Sequence, residues 1–137
     1  MILLDTHTLV WSALGNQKLG VQARRHIDDA RGRAELYLSP ISAWEIAMLV
    51  DKGQLALDLP PSAWITVAAH SHGLQWATLT ATIAASAGTL PGSIHGDPAD
   101  RMIAATSRVL DCALLTADAR LLAYAKAGHV RAIDARD

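Results

Sequence analysis

Phenylalanine is absent from this 137-residue chain, cysteine occurs once, and glycine and proline are held to nine and five. A lone Cys112 can form neither an intramolecular disulfide nor a cysteine zinc cluster. It fits a reducing compartment, so a cytoplasmic location is expected. No stretch approaches eighteen uninterrupted apolar residues, and the opening Met1-Ile2-Leu3-Leu4-Asp5 has no basic segment before its apolar run. A membrane span and a secretion signal are therefore not expected. Charge of one sign is missing as well: twelve Lys and Arg face thirteen Asp and Glu, a net −1 that neither advertises nor forbids a nucleic-acid partner. What is present is hydrophobic substance, 51% of the residues, enough for one packed core. Residues 1–137 are expected to form a single domain, since no linker, repeat or charge run divides them.

Abundant alanine favours helix, and the strands that the sequence offers are short. Ile2-Leu3-Leu4, Leu36-Tyr37-Leu38, Leu74-Gln75-Trp76-Ala77, Ala113-Leu114-Leu115 and Val130-Arg131-Ala132-Ile133 read as buried strands. Helices are predicted over 6–14, 21–33, 43–52, 61–72, 80–88, 98–110 and 119–127. In the sixth, Met102, Ile103, Thr106, Val109 and Leu110 fall on one stripe and predict a core-facing helix. Strands alternating with helices imply an α/β domain, a parallel sheet flanked by helices on both faces.

In an open parallel sheet, ligands bind beyond the carboxyl ends of the strands, and several acids fall there. Asp5 follows the first strand, Asp118 lies three residues past the fourth, and Glu45 sits in the first turn of the helix after the second. Asp100 opens the amphipathic sixth helix. Each has a purely structural alternative. Ser42 and Glu45 have capping-box spacing, Asp97 before Pro98 reads as an N-cap with Asp100 favourable to the helix dipole, and Asp5 and Asp118 suit caps of their own helices. Taken together, however, four carboxylates at one edge repel unless a cation intervenes. A hard divalent ion such as Mg²⁺ or Mn²⁺, which prefers oxygen ligands, resolves the conflict and suits phosphodiester hydrolysis.

Four segments in order, Leu3-Leu4-Asp5-Thr6-His7, Ser39-x-x-Ser42-x-x-Glu45-Ile46, His95-Gly96-Asp97-Pro98-Ala99-Asp100-Arg101 and Leu115-Thr116-Ala117-Asp118, carry a resemblance over essentially the whole chain. The chain resembles the PIN-domain ribonucleases, and within them the VapC-type toxins of toxin–antitoxin systems. The resemblance implies a sheet in the order 3-2-1-4-5 and Mg²⁺- or Mn²⁺-dependent cleavage of single-stranded regions of RNA. It also implies a homodimer and a cognate antitoxin whose tail crosses the active site. Asp5, Glu45, Asp100 and Asp118 match the metal-site acids, Asp97 matches an accessory acid, and Thr6 and Thr116 match hydroxyls that orient acids or water, with local backbone capping as their alternative. Gly96 and Ala99 depart from the commoner form of their segment, where larger residues are frequent.

Among the remaining residues, Arg101 and Arg120 each adjoin a metal-site acid, with RNA contact or pairing to the acids as alternatives. The six histidines form no metal-ligand spacing, and His7 alone stands near the expected pocket rim. The four tryptophans read as core or dimer packing, Trp11 and Trp44 being close to proposed ligands. Two other functions compete. A haloacid-dehalogenase-type phosphatase needs a second Asp two residues after the first, where this chain has His7. A non-enzymatic PIN-like binding module requires that the acids only cap helices.

Overall fold

The computed structural model describes residues 1–137. Twelve elements follow one another: β1 (Ile2–Leu4), α1 (Thr6–Ala13), α2 (Val21–Gly32), β2 (Leu36–Leu38), α3 (Pro40–Asp51) and α4 (Pro61–Ser71). Then come β3 (Gln75–Trp76), α5 (Ala81–Gly88), α6 (Pro98–Leu110), β4 (Ala113–Thr116), α7 (Ala119–Lys126) and β5 (Ala132–Asp134). The strands form one parallel sheet in the order β3-β2-β1-β4-β5, as the resemblance implies.

Alternation along each strand divides the core between the two faces of the sheet. Ile2 and Leu4, with Leu36, Leu38 and Leu115, pack against Leu9, Ile27, Ile46, Trp64 and Ile65 from α1 to α4. Leu3 and Leu114, paired in register, point the other way into Ile83, Ile103, Leu121 and Tyr124 of α5, α6 and α7. Because every strand runs the same way, Asp5, Ser39 and Asp118 emerge at one edge. Helix α6 leads back into β4, so its amino end, with Asp97 and Asp100, lies at that edge too.

Several sequence expectations need correction. Helix α3 starts at Pro40, three residues early, because proline at the first helical position is already set for helix and Ser39 Oγ caps it by accepting from the Ile41 amide at 3.2 Å. Ser42 is therefore inside the helix and Glu45 is in its second turn, which dissolves the capping box. β3 is shorter than expected and both its residues are exposed, since it is a sheet edge with one neighbour. β5 covers only Ala132–Asp134 and is half-buried. On α6 the stripe is shifted: Val109 is exposed, and the inward face is Ala99, Asp100, Ile103, Ala104, Ala105, Thr106 and Ser107. Small residues line it because α6 lies close to its neighbours, and the apolar count alone missed them.

Candidate metal centre

Thr116, at the end of β4, ties two of the acids together. Its hydroxyl donates to Asp5 Oδ2 at 2.6 Å and accepts from the Asp118 amide at 3.0 Å. Asp5, 2% exposed, is also the N-cap of α1, its Oδ1 accepting from the Thr6 amide at 2.8 Å. Asp118 caps α7, with Oδ1 accepting from the Arg120 and Leu121 amides at 2.8 and 3.1 Å. Asp97 caps α6 through Oδ1, at 3.0 Å from the Asp100 amide. The structural roles read from the sequence for Asp5, Asp97 and Asp118 are thus present. In each hydrogen bond to a helix amide, however, only one carboxylate oxygen is engaged.

Asp100 and Glu45 cap nothing. Asp100 is 7% exposed on the first turn of α6, and its close donor is His95 Nε2, 3.1 Å from Oδ2. That contact is too poorly aligned to be a hydrogen bond, and Nε2 is buried without another partner. Burial, then the charges of Asp5, Asp97, Asp118 and Glu45, push the Asp100 carboxyl up from 3.8 to about 8. Glu45 is raised by burial, then by Asp5 and Asp97, against the opposing influence of the Thr6 hydroxyl and of His7. The expected acids therefore feel one another's fields, and Asp97 belongs with them.

Two groups have ligand atoms all within 4.8 Å of one another: Glu45, Asp97 and Asp100, and His95, Asp100 and Asp118. Asp100 is common to both. Asp5 lies outside both groups and faces them through its charge. Converging carboxylates, one of them buried without a hydrogen-bond donor, form an oxygen-rich set suited to a divalent cation, whose charge would relieve their repulsion.

Other side chains hold this edge in shape. The Thr6 hydroxyl donates to Ser42 Oγ at 2.9 Å, joining α1 to α3 below Glu45. His7 Nε2 accepts from the Ala117 amide at 3.0 Å, and Nδ1 lies 3.5 Å from Asp5 Oδ2, so the imidazole clasps the β4–α7 loop beside Asp5. Its ring leans on Trp11, with centroids 5.0 Å apart. Arg101 turns away from the acids: it donates to the carbonyl oxygens of Ala87, Ile94 and His95 at 2.9, 3.4 and 3.4 Å, which fixes the loop before α6. Arg120 Nη2 stands 3.9 Å from Asp118 Oδ2 and stays largely exposed. Trp64 is core, whereas Trp44 and Trp76 are exposed.

His95 is the site residue that sequence reasoning missed, because its neighbours at the site are Asp100 and Asp118 and not another histidine. Its place two residues before the N-cap Asp97 was the available signal. The Asp97 amide donates to His95 Nδ1 at 3.2 Å, so in the neutral ring the proton sits on Nε2, facing Asp100.

An α/β fold of this strand order, with acids gathered from four loops and helix ends at the carboxyl edge of its sheet, defines the class of protein. The chain belongs to the PIN-domain family, which it matches over residues 2–127. It is 34% identical over 123 residues to Ribonuclease VapC22 of Mycobacterium tuberculosis (strain ATCC 25618 / H37Rv), covering 90% of this chain and 91% of that protein. Its fold is similar to DNA-bound VapBC from Salmonella typhimurium, with a TM-score of 0.68 and 18% identity over 97% of this chain and 96% of that one. It is also similar to FitAcB from Neisseria gonorrhoeae, with a TM-score of 0.61 and 20% identity over 98% and 97% of the two chains.

Proposed function

We propose that this protein is a divalent-metal-dependent endoribonuclease that cuts single-stranded regions of RNA and acts as the toxin of a toxin–antitoxin pair. The observation that carries the reading is Asp100, a buried carboxylate that caps no helix and is surrounded by Asp5, Glu45, Asp97 and Asp118. A binding module needs acids only as caps, and neither Asp100 nor Glu45 is one. The ribonuclease name of the 34% identical relative supports the same reading.

Asp5, Glu45, Asp100 and Asp118 would hold Mg²⁺ or Mn²⁺, with Asp97 as an accessory acid. When bound, the ion supplies Lewis-acid charge to phosphoryl oxygens and acidifies water. Thr116 and Thr6 orient the acids, His7 keeps the Asp5 and Asp118 loops together, and Arg120 offers guanidinium donors to an RNA phosphate.

A cognate antitoxin is the proposed partner, since two of the solved structures similar in fold are of VapBC proteins bound to DNA. The protein is further proposed to be a cytoplasmic homodimer in which residues 1–137 make one PIN-like domain; no helix is long and apolar enough to cross a membrane. The test is cleavage of total RNA with Mg²⁺ or Mn²⁺, with chelator, and with Asp5→Asn. Metal-dependent cleavage lost in a folded Asp5→Asn protein is expected. Full activity in that variant overturns the assignment.

A further inference from the structure

Beside the acids lies a cleft of about 250 Å³ between the loop carrying Ser93, Ile94 and His95 and the face of α7 carrying Arg120, Ala123 and Tyr124. We infer that this cleft seats one unstacked nucleobase next to the scissile phosphate and so selects where RNA is cut. The inference rests on the ribonuclease reading above and deepens it.

Position is the first argument. The cleft shares two walls with the acidic cluster: His95 Nε2 is 3.1 Å from Asp100 Oδ2, and Arg120 Nη2 is 3.9 Å from Asp118 Oδ2. The cleft thus adjoins the acids directly, and a phosphate held at the acids would stand beside its mouth. The larger clefts lie along Ser107–Cys112 and Gly128–Asp134, at the far ends of β4 and around β5, and there Arg108 and Arg131 are already engaged by the carbonyls of His129 and Asp111.

Chemistry is the second. Ile94, Ala123 and the edge of Tyr124 offer apolar walls to a planar ring, while Ser93 offers a polar contact to its edge. Single-stranded RNA is read this way, by splayed bases in pockets with a few hydrogen-bonding groups. Arg120 is too far from Asp118 for a hydrogen bond, so its donors are free for the adjoining phosphate.

Rigidity is the third. Tyr124 donates to the Pro91 carbonyl at 2.5 Å and stacks on His129, with ring centroids 4.7 Å apart. Arg101 holds the carbonyls of Ile94 and His95. Gly92, at φ +72°, makes the bend between Pro91 and Ser93, and a Cβ there would meet the His129 ring at 2.2 Å. Both walls are thus set before any RNA arrives, and a preformed pocket discriminates without first paying to order a loop.

Ala123 is exposed on α7, so Ala123→Trp fills the cleft without entering the core. Cleavage ends are mapped on a random-sequence RNA pool for wild type and variant, alongside Mn²⁺ binding by calorimetry and thermal melting. The expected result is a changed preference at one nucleotide flanking the cut and a loss of about tenfold or more in kcat/KM on the best wild-type sequence. Mn²⁺ affinity and melting temperature stay at the wild-type values. An unchanged site map with unchanged rates overturns the cleft. Should Ala123→Trp melt early, Ala127→Leu on the next turn makes the same test with the same readings. An RNA pool left uncut by the wild-type protein defeats the ribonuclease reading itself, whereas wild-type cleavage with identical maps for the variant defeats only the cleft.

Discussion

Thr116 and Asp5 are 111 residues apart in sequence, yet the threonine hydroxyl donates to Asp5 Oδ2 at 2.6 Å across the β1–β4 pairing. The Thr116 hydroxyl oxygen in turn accepts from the Asp118 amide, so one side chain sets the positions of two acids. Ligand-orienting hydrogen bonds of this kind tune metal affinity as well as stability.

Thr116→Val keeps the β-branched shape in a fully buried strand position and removes only the hydroxyl. It leaves the Asp118 amide without its acceptor and Asp5 Oδ2 without its donor. A stability loss of about 1–3 kcal/mol is expected, with Mn²⁺ affinity lowered about 10- to 100-fold. Thr116→Ser restores most of both. Urea melts and calorimetry check this, and a Val variant with wild-type metal affinity contradicts it.

Asp100→Asn separates stability from function. The charge it removes is buried among four like charges, so the metal-free protein is expected to gain about 1–2 kcal/mol at pH 8, where the wild-type carboxyl is being forced to ionise. Metal binding and RNA cleavage are lost in the same variant. A variant less stable than wild type in chelator places Asp100 in a structural role instead.

These acids show how far the sequence reaches. Asp5 and Asp118 were legible because β1 and β4 are short apolar runs that end at a polar cap, and a parallel sheet then brings both to one edge. Glu45 was found for a partly mistaken reason: Pro40 begins α3, so the Ser42–Glu45 spacing is not a cap and the helix presents Glu45 one turn deeper. His95 was invisible because its contact with Asp100 depends on how Arg101 ties down the loop, which is tertiary information. The exposure of Trp76 likewise follows from β3 being an edge strand, and strand order is not written in local apolarity.

Stability should depend on pH in the direction opposite to that of a salt-bridged aspartate. In the unfolded chain Asp100 loses its proton near its ordinary 3.8, but in the metal-free fold it does so only near 8. The unfolded state therefore holds fewer protons in between, and stability falls as pH rises through that interval. Glu45, raised in the same direction, steepens the fall. Melting temperatures in chelator are expected to decline from pH 5 to pH 8, while saturating Mn²⁺ flattens the slope because the cation takes the place of the proton. A rise in chelator over that range contradicts the crowding of the acids.

The near-neutral charge of the chain conceals an uneven distribution that metal should expose. With Asp5, Glu45, Asp100 and Asp118 assigned to a cation, nine acids remain against twelve Lys and Arg. Without metal, the clustered carboxylates repel the phosphate that Arg120 attracts, so the two fields oppose each other where RNA must enter. With metal the opposition disappears. Affinity for a cleavage-resistant RNA, measured by fluorescence anisotropy, should therefore be about tenfold weaker in chelator than in Mg²⁺. The gap should narrow at high salt, because the Debye length shortens for exposed charges. Equal affinities in both conditions would show that RNA is held away from the acids, and the site would then lose its claim to the scissile phosphate.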